Sequence, residues 1–149
     1  MGAKNNILLF IPLLLFLTLV NSCVNQGDEI LLKKIASSVK DGDRIVLSDF
    51  TNFEWNNLVL CNPGTSLKEY ENFIGNVKFK YFDLKKVIIF RKDEMVVKII
   101  KQNYHPEKYL MVEFFISVNS YIVLNKDVAV FDVAKKLNRV ELRPVGGGA

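Results

Sequence analysis

Two carboxylates bracket an aromatic run in Asp49-Phe50-Thr51-Asn52-Phe53-Glu54-Trp55. Paired acids beside aromatic rings are the groups a glycan-cleaving site uses, one as proton donor and the other as base or nucleophile. The same run also reads as a loop whose Phe50, Phe53 and Trp55 fill a core while Asp49 and Glu54 stay in water, since carboxylates are rarely buried without a partner. Phe53 and Trp55 are in addition the aromatic candidates for an interaction surface.

Other reactive groups are few. The single histidine, His105, lies in Asn103-Tyr104-His105-Pro106, a polar stretch that reads as an exposed loop. A zinc site needs three or four ligands at short spacings, and no His/Cys grouping supplies them. No Gly-x-Ser-x-Gly turn offers a serine nucleophile, and no glycine-rich loop offers a phosphate cradle. Cys61 ends the apolar run Leu58-Val59-Leu60-Cys61 and reads as a buried, inert thiol. The expectation is no cofactor, no metal and no catalytic residue.

The other cysteine is placed quite differently. Lys4 is followed by an apolar run of fourteen residues, 7–20, and the segment ends Val20-Asn21-Ser22-Cys23. A bilayer core of about 30 Å needs about 20 apolar residues in a spanning helix, so this run has the length of a signal-peptide core instead. Pro12 would also kink a spanning helix. Val20-Asn21-Ser22-Cys23 resembles the lipobox of bacterial lipoproteins, with Asn21 bulkier than the usual Ala or Ser. That resemblance implies a diacylglyceryl group on Cys23, cleavage before it, and palmitate-type acyl chains holding the protein to a membrane. Each buried CH₂ contributes about 0.8 kcal/mol, and two or three chains on one cysteine make a stable anchor. Val24, where an Asp would signal inner-membrane retention, points to the outer membrane, on its periplasmic face. A plain secretory signal and an uncleaved hydrophobic anchor are the alternatives. With Cys23 lipidated, Cys61 has no partner, so a disulfide-stapled fold is excluded by count.

The expected organisation is a signal peptide over 1–22, a lipidated tether over 23–28, one domain over 29–145 and a flexible tail over 146–149. Leu32, Ile35, Ala36 and Val39 share one helical face, predicting a helix near 29–41 that Gly42 can stop. Arg44 to Phe50 and Asn57 to Cys61 read as strands, and Asn62-Pro63-Gly64 as a turn. Ser66 and Glu69 form a capping box for a helix near 66–74. Val87–Phe90 and Met95–Ile100 flank a charged turn, as Tyr121–Leu124 and Val128–Val133 do, which predicts two hairpins. Tyr109–Ile116 and Val140–Arg143 add strands, and 134–139 a short helix or loop. This order predicts an α+β fold, an antiparallel sheet with two N-terminal helices packed on one face.

The chain has 149 residues, enough for one domain, and a formal charge of +4. Removing residues 1–22 takes away Lys4 and no acid, leaving nineteen basic and sixteen acidic residues, or +3. Lysines and arginines are interleaved with acids, which argues against nucleic acid as a partner. Lys85-Lys86 and Lys135-Lys136 read as solubilising charge, with anionic headgroups as the alternative.

The stretch from Ser48 to Leu60 also resembles a group of small uncharacterised bacterial lipoproteins. They carry a Phe-x-Trp-Asp segment, an apolar strand, a Pro-Tyr turn, a short capped helix and an apolar hairpin, in an order that matches 48–100. The chain departs at Asn56, where the group has Asp, and at Gly64, where it has Tyr. This implies location and fold but no activity. The expected function is a lipid-anchored envelope protein whose domain binds an envelope component, its partners being the membrane through the anchor and an envelope protein. A cell-wall hydrolase using Asp49 and Glu54, and an immunity- or exclusion-type inhibitor lipoprotein, are the alternatives.

Overall fold

The computed structural model describes residues 30–75, 85–103, 111–117, 120–137 and 139–146. The signal segment, Cys23 and its tether, His105 and all but the first residue of the glycine tail lie outside them.

Helix α1 covers 30–38. It is followed by β1 (Arg44–Val46), a 3₁₀ turn (Leu47–Phe50), β2 (Asn57–Cys61) and helix α2 (Leu67–Ile74). Then come β3 (Lys85–Lys92), β4 (Met95–Asn103), β5 (Met111–Phe114), β6 (Tyr121–Asn125), a second 3₁₀ turn (Lys126–Val128), β7 (Val130–Lys136) and β8 (Arg139–Pro144). The strands form two four-stranded sheets, ordered β1-β7-β8-β5 and β4-β3-β2-β6. Among the described residues all pairings are antiparallel except β5 with β8.

The period of two along each strand dictates the layering. Leu58, Leu60, Ile88, Phe90, Ile100 and Leu124 of one sheet meet Ile45, Phe131, Val133, Val140, Leu142, Val112 and Phe114 of the other in one buried cluster. The apolar stripe of α1, Leu31, Ile35, Ala36 and Val39, joins that same cluster. The alternate residues Val59, Cys61, Val87 and Ile89 form a second cluster with Tyr70 and Ile74 of α2. The β4-β3-β2-β6 sheet is therefore buried on both faces, which is why β2 and β3 read as unbroken apolar runs.

The α+β composition is as expected, but the arrangement is not one sheet with two helices on one face. Two sheets pack together; α1 contributes to the core between them and α2 covers the far side of one. The reason is the number of apolar faces: a sheet with side chains buried on both sides needs two covering layers. Two local expectations also change. The strand from Arg44 stops at Val46, and Leu47–Phe50 curls into a 3₁₀ turn with Leu47 fully buried. Tyr121–Leu124 and Val128–Val133 do not pair as a hairpin. The turn at Lys126–Val128 carries the chain from one sheet to the other, because β6 pairs with β2 and β7 with β1 and β8. Of the polar segment 134–139, residues 134–136 end β7, 137 is a turn and 139 opens β8, so its described residues form no short helix.

The exposed edge of β5 is closed by side chains. Lys86 and Gln102 are register partners on β3 and β4. The Gln102 amide donates to the Val112 carbonyl, and Lys86 donates to the Phe114 carbonyl at 3.2 Å and to Glu113 at 2.7 Å. Two donors thus occupy carbonyls that would otherwise invite another strand, and they tie the sheets together. At the edge of the second sheet, the β3–β4 register shifts between Phe90 and Arg91, leaving Val97 as the extra residue of a bulge. A bulge of this kind twists an edge away from further pairing.

Phe90 sits at the centre of the aromatic packing, edge-on to Phe53 at 5.0 Å and to Trp55 at 5.2 Å. Its truncation to Ala removes both contacts and leaves a cavity, so Phe90→Ala is expected to cost about 3–5 kcal/mol. Leu137, 99% exposed, supplies the control: Leu137→Ala is expected within about 0.5 kcal/mol of wild type. Urea denaturation of both variants checks this pair of values.

Candidate functional site

The acidic-aromatic run forms one end of the sandwich, between β1 and β2. The turn Leu47–Phe50 is pinned by the Leu47 amide donating to the Ala129 carbonyl at 3.0 Å. Asn56 holds the other side. Its amide group donates to the Asp93 carboxylate at 2.8 Å, and its oxygen accepts from the Asp93 N–H at 3.0 Å. Asp93 is in the left-handed region at φ 56°, where Asn and Asp are the non-glycine residues best tolerated. The Asn56 backbone continues the clamp, donating to Arg91 and accepting from Lys126, both at 2.8 Å.

Within this frame the aromatic residues turn inward. Trp55 is 3% exposed, and its indole N–H donates to the Thr51 hydroxyl at 3.0 Å. It does not present a surface for a partner, because its ring is needed to pack against Phe90. Phe53 and Phe50 are half-buried against the core. A lysine stands over each ring: Lys34 over Phe50 at 5.6 Å, Lys98 over Phe53 at 5.8 Å and Lys126 over Trp55 at 5.9 Å. Lys34 also donates to the Phe50 carbonyl at 3.2 Å. Three lysines from three elements therefore seal the loop by cation–π contact.

Asp49 and Glu54 face outward. Glu54 is ion-paired with Lys92, and that hydrogen bond and charge hold its carboxyl below the ordinary range. A glycosidase proton donor needs the opposite shift, a carboxyl kept protonated near working pH. The geometry brings Asp49 and Glu54 into one loop but gives Glu54 the environment of a permanent anion.

Cys61 is 3% exposed beneath α2, and burial, with the nearby Glu69, pushes its thiol up to about 12. Such a thiol stays protonated at neutral pH. Glu69 completes the capping box with Ser66, accepting from its N–H at 2.8 Å, and also accepts from the Ser120 hydroxyl. One carboxylate thereby caps α2 and ties it to the entry of β6. Ser120 and Ser66 hold Glu69 below its ordinary range.

A charge network that the residue patterns above do not single out lies on β8. Arg139, Glu141 and Arg143 alternate with Val140 and Leu142 on β8, so the charged three share the outward face of the β1-β7-β8-β5 sheet. Glu141 is 3% exposed at its side chain. It is ringed by Lys136 at 2.7 Å, Arg139 at 2.6 Å and Arg143 at 3.0 Å. Arg139 reaches on to Glu113 at 3.3 Å, which Lys86 binds from the other side. Arg143 also lies over Phe115 at 5.3 Å. The signal was present: a strict period of two over 139–143 with the charges in phase. Among the described residues this face carries no helix, and the long cationic side chains cover it instead.

Among the described residues no group of three or more His, Cys, Asp or Glu is placed to hold a metal ion. No known protein family, curated protein or solved structure matches the chain.

Lys136 first, then Arg143 and Arg139, hold the Glu141 carboxyl at about 2 against the upward pull of burial. Its folded value lies below its ordinary 4.5. The network therefore stabilises the fold fully above 4.5, and this contribution is lost as pH falls towards 2. Glu141→Gln takes the anion from Lys136 and Arg143 and leaves Arg139 only Glu113. It is expected to lower stability at pH 7 by about 1–3 kcal/mol and to flatten the fall in urea midpoint between pH 5 and pH 2.5. Parallel urea titrations of wild type and variant measure both effects.

Proposed function

We propose that this protein is a lipid-anchored component of the bacterial cell envelope whose folded body is a non-catalytic interaction domain. The observation that carries the reading is the N-terminal order: Lys4, the apolar run over 7–20, then Val20-Asn21-Ser22-Cys23. A run of that length is too short to span a bilayer as a helix and ends at a residue that accepts acyl chains. Among the described residues no helix is long and apolar enough to cross a membrane. The chemistry of the body is in keeping with a binding role, since Cys61 is held protonated and Glu54 is held ionised by Lys92.

Acyl chains on Cys23 fasten the domain to the membrane, and Val24 favours the outer membrane. The partner is an envelope protein or other envelope component. The candidate contact surface is the charged face built around Glu141, with Phe115 46% exposed beside Arg143. That assignment replaces Trp55, which the core has taken.

Mass spectrometry of the mature N-terminus tests the anchor. The expected product begins at Cys23, carries a diacylglyceryl group, and partitions with detergent. Cys23→Ser is expected to abolish the lipid mass and leave the signal uncleaved. A native product that begins at Met1, or begins beyond Cys23 with no lipid, overturns the reading.

A further inference from the structure

We propose that the end of the sandwich formed by the 47–56 loop and the β3–β4 turn rests on the headgroup layer of the membrane, and that its lipid partner is zwitterionic phospholipid. The inference rests on the Cys23 anchor and adds to it an orientation and a contact surface.

The path of the chain supplies the first argument. At one end of α1, the Lys135 ammonium donates to the Val39 carbonyl at 3.4 Å and the Lys135 amide to Asp41 at 2.7 Å. One turn from the other end, Lys34 is bonded to Phe50 of the loop. The helix therefore runs towards the loop as it is followed back to Ile30. Seven residue steps separate Ile30 from Cys23, and they reach at most about 25 Å. β7 runs along the domain from Val130, paired with Val46, to Lys136, about 20 Å for its seven residues. Bringing the far end to the bilayer would require the tether to run nearly straight back along the domain, with the loss of almost all its conformational freedom.

The composition of that end supplies the second argument. Ile30 is 65% exposed, Met95 67% and Val128 53%. Ile30 opens α1 one turn before Lys34, Met95 follows the Asp93 turn held by Asn56, and Val128 closes the turn begun by Lys126. Three exposed apolar tips thus stand among Lys34, Lys98 and Lys126, whose ammonium groups lie over the rings of Phe50, Phe53 and Trp55. Apolar tips flanked by lysines suit the boundary between headgroups and acyl chains. Asp49, Glu54 and Asp127 are exposed among them. With both signs interleaved, the surface has no need of an anionic lipid, so the commitment is to a zwitterionic one.

The test uses the lipidated full-length product added to phosphatidylcholine vesicles that carry a lipid-borne quencher. Met95→Cys, Val128→Cys and Leu137→Cys each receive a thiol-reactive fluorophore; Leu137 marks the far end, beyond β7. Lipidation occupies the Cys23 sulfur, and burial shields Cys61, so the label goes to the introduced residue. The proposal expects loss of most of the emission at positions 95 and 128, no loss at 137, and the same pattern when anionic lipid is added. Equal quenching at all three positions, quenching at 137 alone, or no quenching anywhere overturns the orientation. A pattern that appears only with anionic lipid overturns the lipid assignment. The N-terminal mass of the same sample separates the two levels. With lipid on Cys23 such failures leave the anchor standing, and without it both proposals fall.

Discussion

The structure depends on burying both faces of the β4-β3-β2-β6 sheet. Leu58, Leu60, Ile88 and Phe90 point one way, Val59, Cys61, Val87 and Ile89 the other, and all are 3% exposed or less. A sheet so apolar on two sides cannot meet water on either. One side takes the second sheet and α1, and the other takes α2. Each apolar side chain removed from water contributes about 1.5–3 kcal/mol before the entropy of ordering is set against it. The β4 edge carries the Val97 bulge, Lys86 and Gln102 occupy the β5 edge of the other sheet, and the aromatic loop closes one end.

Much of this was legible in local residue patterns. The helical stripe at Leu32, Ile35, Ala36 and Val39, the bounds of Asn57–Cys61, and the Ser66–Glu69 capping box are set by interactions within a few residues. Each appears in the structure close to where the sequence places it. What was not legible depends on distant partners. Asn125-Lys126-Asp127 carries turn chemistry that serves a hairpin or a crossing between sheets equally well. The choice falls to β2 on one side and to β1 and β8 on the other, far away in sequence. The parallel pairing of β5 with β8 has no local signature at all. Val87–Phe90 and Met95–Ile100 do form the expected hairpin, and the uninterrupted apolar run Val87–Phe90 is in addition the mark of a sheet covered on both faces.

The candidate site divides in the same way. That Phe50, Phe53 and Trp55 fill the end of the core while Asp49 and Glu54 face water was one of the two readings of that run, and burial of Trp55 removes it from the contact surface. The ring of cations about Glu141 combines a pattern visible on β8 with Lys136 from β7, and its extension to Lys86 crosses between sheets. Charges that seem evenly scattered along the chain are gathered by the fold into a network on one face. On the far side of the central sheet, the Cys61 thiol and the Tyr70 hydroxyl are each pushed up to about 12 by burial.

The double burial of the central sheet is the claim on which this account stands, and native-state hydrogen exchange measures it directly. The amides of Val59, Leu60, Ile88 and Ile89 are expected to exchange only through global unfolding, with free energies matching the urea value. Those of α2, an eight-residue helix held on one side, are expected to exchange earlier through local opening. If the β2 and β3 amides exchange as fast as those of α2, the sheet is not covered on both faces and the layered architecture is wrong.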